Sequence, residues 1–177
     1  MLLLVFLFCA LGVFSGGARA QSQENPPSDL QVKASREAAF GSYSEACKLY
    51  TQALKLLLAR GQEAEGGAVY IKLGEINQMH GAFSLAEVNY NSGLDLLKRY
   101  AKPNDFRLVI ALDDLGWLDI MWGRLMEGSR LLDQARMKAE EAPPNDPRLI
   151  GHLDTQAAYL TTTGKYSEAR KLWTRAL

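Results

Sequence analysis

Residues that carry chemistry are scarce in this chain. Of 177 residues, two are histidine and two are cysteine. There is no H-E-x-x-H, no C-x-x-C, no G-x-S-x-G and no phosphate loop, so none of the constellations that metalloproteases, thiol redox enzymes, serine hydrolases or nucleotide-binding enzymes need is spelled out. The expectation is a protein that is not an enzyme and holds no cofactor or metal. His80 falls at the end of one predicted helix and His152 in the first turn of another. Both read as solvated helix-end residues, since a zinc site needs three or four convergent donors. The adjacent acids Asp113-Asp114 and Glu140-Glu141 diverge on a helix, which argues against shared acid–base work. Charge excess is missing too. Twenty Lys and Arg stand against twenty Asp and Glu, so there is neither the basic footprint of a nucleic-acid binder nor a polybasic membrane patch.

One long apolar run is present. Leu2 to Phe14 is almost unbroken, ends at Ser15-Gly16-Gly17 and is followed by Ala18-Arg19-Ala20. This reads as a secretory signal peptide over residues 1–20, cleaved after Ala20, because the run falls short of the roughly 20 residues a bilayer span requires and the small-residue site suits signal peptidase. The expected location is secreted or periplasmic. Cys9 lies within the run and leaves with it, with the wrong neighbours for a lipoprotein site. Cys47 then remains alone, no internal disulfide is available, and the thiol reads as a small apolar filler. Residues 21–28 are polar, contain Pro26-Pro27, and read as a flexible linker.

Beyond that point one pattern recurs. Gly41-Ser-Tyr43-Ser-Glu-Ala46, Gly81-Ala-Phe83-Ser-Leu-Ala86 and Gly164-Lys-Tyr166-Ser-Glu-Ala169 are near copies, and Gly123-Arg-Leu125-Met-Glu-Gly128 is a degenerate one. The glycine steps are 40, 42 and 41 residues, a period that signals stacked helix hairpins. The connecting loops repeat as well: Pro103-Asn104-Asp105-Phe106-Arg107-Leu108 and Pro144-Asn145-Asp146-Pro147-Arg148-Leu149. Apolar periodicity places eight helices at about 29–40, 44–59, 66–79, 84–100, 106–121, 126–141, 147–162 and 167–177. Ser44, Ser84 and Ser167 stand where N-caps are expected, with Ser84 and Glu87 spaced as a capping box. Met126 leaves the third hairpin without such a serine. The stretch Gly61 to Gly67 is read as the break between the first and second units, with Gly66-Gly67 in place of proline and opening the third helix.

Tyr70, Leu73, Gly74, Gly81, Phe83, Ala86, Tyr90 and Leu94 fall in the order and spacing of a tetratricopeptide repeat (TPR), and Leu112, Leu115, Gly116 and Ala135 fit likewise. The last unit, with Ala157, Leu160, Gly164, Tyr166, Ala169, Trp173, Ala176 and Leu177, most resembles the longer repeats of kinesin light chains and their bacterial relatives. The resemblance covers Asp29 onward. It implies an all-α, right-handed superhelical solenoid of about four hairpins, with repeats at about 29–63, 64–104, 105–146 and 147–177, the last incomplete. Gly74, Gly116 and Ala157 are then close-approach points between paired helices, and Phe83 and Tyr166 fill the gaps between hairpins. Lys33 and Glu37 mark the first helix as an N-terminal cap. Leu172, Trp173 and Leu177 sit on a last helix with no polar cap, which invites self-association.

TPR arrays generally bind extended peptides or partner helices in a concave groove lined by the first helix of each pair. Carried over by position, this nominates Gln31, Ser35, Ile71, Glu75, Gln78, Asp113, Trp117, Ile120, Asp154, Ala158 and Thr161, an acidic strip with an aromatic centre that suits a basic or apolar segment. The family's carboxylate clamp for acidic chaperone tails is unmatched, because Gln31 and Ser35 stand where Lys and Asn are wanted. Asp113 and Asp154 equally suit helix-dipole positions, and Trp117 equally suits the stack. Three functional readings follow: an extracytoplasmic protein-binding scaffold, the N-terminal scaffold of a longer protein whose effector domain lies beyond residue 177, and a self-associating structural piece.

Overall fold

A computed structural model describes residues 25–177; the signal-peptide expectation and most of the linker fall outside the described residues. Among those residues there are eight helices and no strand: α1 (Pro27–Ala39), α2 (Tyr43–Ala59), α3 (Glu63–Met79), α4 (Phe83–Tyr100), α5 (Arg107–Met121), α6 (Leu125–Ala139), α7 (Leu149–Thr162) and α8 (Tyr166–Ala176). Consecutive helices pack as hairpins, and the odd helices α3, α5 and α7 also touch in sequence. The all-α solenoid of four stacked hairpins expected from the repeats is what forms.

Each hairpin turn is built by its glycine. At the first, Gly41 N–H bonds Ala38 O at 3.0 Å and Ser42 N–H bonds Glu37 O at 2.9 Å, the paired bonds of a Schellman motif. Gly41 holds φ 79°, a left-handed conformation that a Cβ makes costly. The same bonds recur at Gly61, Gly81, Gly123 and Gly164.

This geometry corrects the capping expectation. The helices start at Tyr43, Phe83 and Tyr166, one residue before the serines, and none of the eight helices has a side-chain N-cap bond. The residue after each turn glycine is already the N-cap, so the serines sit inside the first turn. Glu87 instead reaches Arg124, at 2.7 Å. The third turn is as regular as the others, with Gly123 at φ 78°. At the chain's start, Pro27 opens α1 and is buried, where the sequence suggested linker; proline suits a first helical position.

Gly66 and Gly67 also differ from expectation, since both lie inside α3. A Cβ at Gly66 would sit 2.9 Å from Leu58 Cδ2, and one at Gly67 would sit 3.1 Å from Gly93 O. They are close-approach residues, and of the Gly61–Gly67 stretch only Gly61, at φ 66°, makes the break. Gly74 and Gly116 do have that role: a Cβ at Gly74 would lie 2.4 Å from the Tyr90 ring, and one at Gly116 3.1 Å from Gly128 O. Phe83 meets the Trp122 ring edge-on at 6.5 Å, and Tyr43 meets His80 at 5.8 Å. Each pair joins one hairpin to the next. Tyr166 holds the same place in the last hairpin but is 66% exposed, so it fills no gap.

Buried side chains form two clusters that meet at α3. Val69, Leu73 and Ile76 pack with Tyr50, Leu54 and Leu57 of α2, while Ile71 joins the larger cluster running through α4 to α7. The two Pro-Asn-Asp loops start α5 and α7 in one way: Asp105 Oδ1 accepts from Arg107 N–H at 3.0 Å and Asp146 Oδ1 from Arg148 N–H at 2.9 Å. Arg148 then lies over the Phe106 ring, 4.9 Å from its centroid, tying the fourth hairpin to the third.

Candidate protein-interaction face

The odd helices supply one long face. On α5, ten of fifteen residues are buried, and beyond Arg107 the accessible remainder forms a stripe at helical spacing: Ile110, Asp114, Trp117 and Met121. On α3 the corresponding stripe is Ala68, Lys72, Glu75 and Met79. Met79 is 62% exposed and Met121 53%, and the two stripes adjoin, with Gln78 Nε2 3.9 Å from Met121 Sδ. Methionines on an open face offer an adaptable apolar surface.

The nominated residues divide on this geometry. Ile71 (3% exposed), Asp113 (4%) and Ile120 (7%) are buried between helices, and the accessible positions are the next residues along, Lys72, Asp114 and Met121. At those three points each odd helix turns one flank toward its neighbours, and the outward position is one residue further along. Glu75, Gln78 and Trp117 are half-buried on the face, as are Gln31, Ala158 and Thr161; Ser35 and Asp154 are exposed. Ser35 Oγ lies 2.6 Å from Tyr50 Oη, so its hydroxyl is already engaged.

The acidic strip is largely spent inside the protein. Lys72 Nζ donates to both Glu75 oxygens, at 2.7 and 2.8 Å. Burial works against the Lys72 ammonium, yet Glu75 outweighs it and holds the pKa above the ordinary lysine range. Asp154 Oδ1 accepts from the Trp173 indole at 2.9 Å. Asp113 Oδ2 lies 2.8 Å from His152 Nδ1, both side chains 5% exposed. His152 is therefore a buried linker between α5 and α7, not a solvated helix-end residue, because α7 presses its first turn onto α5. Burial pushes the Asp113 carboxyl up, and the His152 bond pulls it back.

Asp114 has no such partner on either oxygen. Its Oδ2 is buried with no hydrogen-bond partner, as is the Oδ1 of Asp113 beside it. Burial first, then the Glu75 and Asp113 charges, push its pKa up to about 8 against the pull of Lys72. Across from it, Tyr90 Oη donates to Gln78 Oε1 at 2.9 Å, and burial drives that phenol's pKa upward, helped by Asp114 and Glu75. Nothing in the sequence separated Asp114 from Asp113; the faces their helix turns toward α3 and α7 do.

Away from this face, a concavity of about 680 Å³ opens between α6, α7 and α8. Its polar floor is committed: His152 to Asp113, and Gln156 Nε2 to Leu132 O at 3.0 Å.

No protein-family model matches the sequence, and no curated protein matches it. Among solved structures it is similar to BtubC (BKLC) from P. vanneervenii, with a TM-score of 0.69 and 19% identity over 88% of this chain. The match covers 65% of the BtubC chain, just under two thirds of its length. The likeness shows a shared TPR-like helical-repeat fold.

Proposed function

We propose that this protein is an exported, non-catalytic scaffold that holds a basic or apolar segment of a partner protein along the face of α1, α3, α5 and α7. One observation carries the reading: α5 is the most buried helix of the stack, yet it leaves Ile110, Trp117 and Met121 accessible in a line beside Met79. A partner segment laid there would desolvate an aromatic anchor and two thioethers, the composition that dominates protein interfaces. Export rests on the Leu2–Phe14 run and Ala18-Arg19-Ala20. The repeat period of 40 to 42 residues supports kinship with the longer, kinesin light chain-like repeats. Selection of a displayed library of random dodecapeptides on the protein tests the binding reading. Peptides whose affinity drops at least tenfold on Trp117→Ala support it, and binding indifferent to Trp117 overturns it.

A second reading, the front scaffold of a longer protein, is favoured by Tyr166. The equivalent Tyr43 and Phe83 are each covered by the following hairpin. A transcript open beyond the Leu177 codon supports this reading; an immediate stop leaves Tyr166 and Trp173 for a separate partner or a second copy.

A further inference from the structure

Asp114, half-buried, lies in the middle of the accessible stripe, in the seam between α3 and α5, and one of its carboxylate oxygens, like Asp113 Oδ1 behind it, is buried without a donor. An orphaned buried acceptor of this kind is costly and needs an explanation. The groups that face it are Lys72 and Glu75 from α3, Tyr90 from α4 and its own neighbour Asp113, which is held by His152 of α7. None supplies the missing donor. Lys72 is engaged with both Glu75 oxygens, and Tyr90 donates to Gln78. Among the described residues no group of three His, Cys, Asp or Glu converges to hold a metal. Carboxylates outnumber cations around the seam, so the missing donor is cationic by charge complementarity.

We propose that the Asp114 carboxylate seats a single Lys or Arg side chain of the bound segment, with apolar residues flanking that cation laid against Ile110, Trp117, Met79 and Met121. This rests on the reading of the face as peptide-binding. A long side chain suits the site, because its methylene stem covers Trp117 while its head reaches the half-exposed Asp114 carboxyl from the face, and a guanidinium also stacks on an indole. Seating a cation there favours the ionised carboxylate, so binding expels a proton from Asp114. With the free group titrating at about 8, affinity rises about tenfold between pH 7 and pH 9 by linkage.

The test is the same dodecapeptide library, selected in parallel on the full chain, on Asp114→Asn and on Trp117→Phe, which keeps an aromatic ring in the stack, with thermal unfolding confirming that each variant folds. The expected result is a Lys or Arg flanked by apolar residues in the peptides selected on the wild-type protein. Those peptides bind Asp114→Asn at least tenfold more weakly, and their affinity gain toward pH 9 is lost in that variant. Peptides that need Trp117 but carry no cation, or that bind Asp114→Asn equally well, overturn the Asp114 proposal and leave the interaction face standing. Absence of any Trp117-dependent peptide overturns both.

Discussion

His152 of α7 and Asp113 of α5 are joined at 2.8 Å with both side chains almost wholly out of water, and the pair ties the last hairpin to the one before it. Removing one member of a buried pair leaves the other without a partner, at a cost of about 3–5 kcal/mol. His152→Ala is expected to lower stability in urea unfolding by about that much. The double variant Asp113→Leu/His152→Leu is expected to regain most of the loss, which would identify the orphaned carboxylate, not lost packing, as the cause.

Gly74 and Gly151 are predicted to respond in opposite directions to alanine. At 74 the new methyl would meet the Tyr90 ring at 2.4 Å, so Gly74→Ala should cost about 1–3 kcal/mol by overpacking. At 151, in the first turn of α7, nothing lies within 4 Å, and Gly151→Ala should raise stability by about 0.5–1 kcal/mol through helix propensity. Thermal melts of the two variants give the comparison directly.

Ile71 and Lys72 test which flank of α3 faces outward. Ile71→Ala is expected to destabilise by about 2–4 kcal/mol, as truncation of a buried core residue does. Lys72→Ala is expected to change stability by less than about 1 kcal/mol, since its ion pair with Glu75 is exposed. Denaturant midpoints check both, and a larger loss at Lys72 than at Ile71 would put the accessible stripe on the wrong residues.

The repeat register was plain in the sequence because glycine at +79° and small residues at helix crossings leave little choice of residue, and Gly41, Gly74, Gly81 and Gly116 reported both. The serines misled because Ser, Thr and Asp suit the first turn of a helix as well as its cap, and only the Schellman bonds decide where the helix begins. The face was legible to within one residue. At 3.6 residues per turn, Ile71 and Lys72 both border the outward side, and the direction from which the next hairpin presses decides between them. Burial of His152 was not legible at all, since it depends on how α7 lies on α5.

Asp114→Asn should reveal a pH signature in stability. The folded carboxyl titrates at about 8 and the unfolded one near the ordinary 3.8. Its folded pKa is raised, so its stabilising contribution is fully present below about pH 4 and is lost as pH rises toward 8. The wild-type protein should therefore lose stability across that window relative to Asp114→Asn. The variant should be the more stable by roughly 2 kcal/mol or more at pH 9 and near parity at pH 4, a figure discounted because Asp114 is only half-buried. Urea titrations at the two pH values measure the difference.

The central claim is that the odd-helix face, and not the concavity between α6, α7 and α8, receives a partner segment. Methyl NMR of the protein titrated with one library-selected dodecapeptide tests it most directly. The account predicts saturable shifts at the Met79, Ile110 and Met121 methyl groups, with Leu153, Leu160 and Leu172 unmoved. Shifts confined to those three leucines, or no saturable shift anywhere, would contradict it.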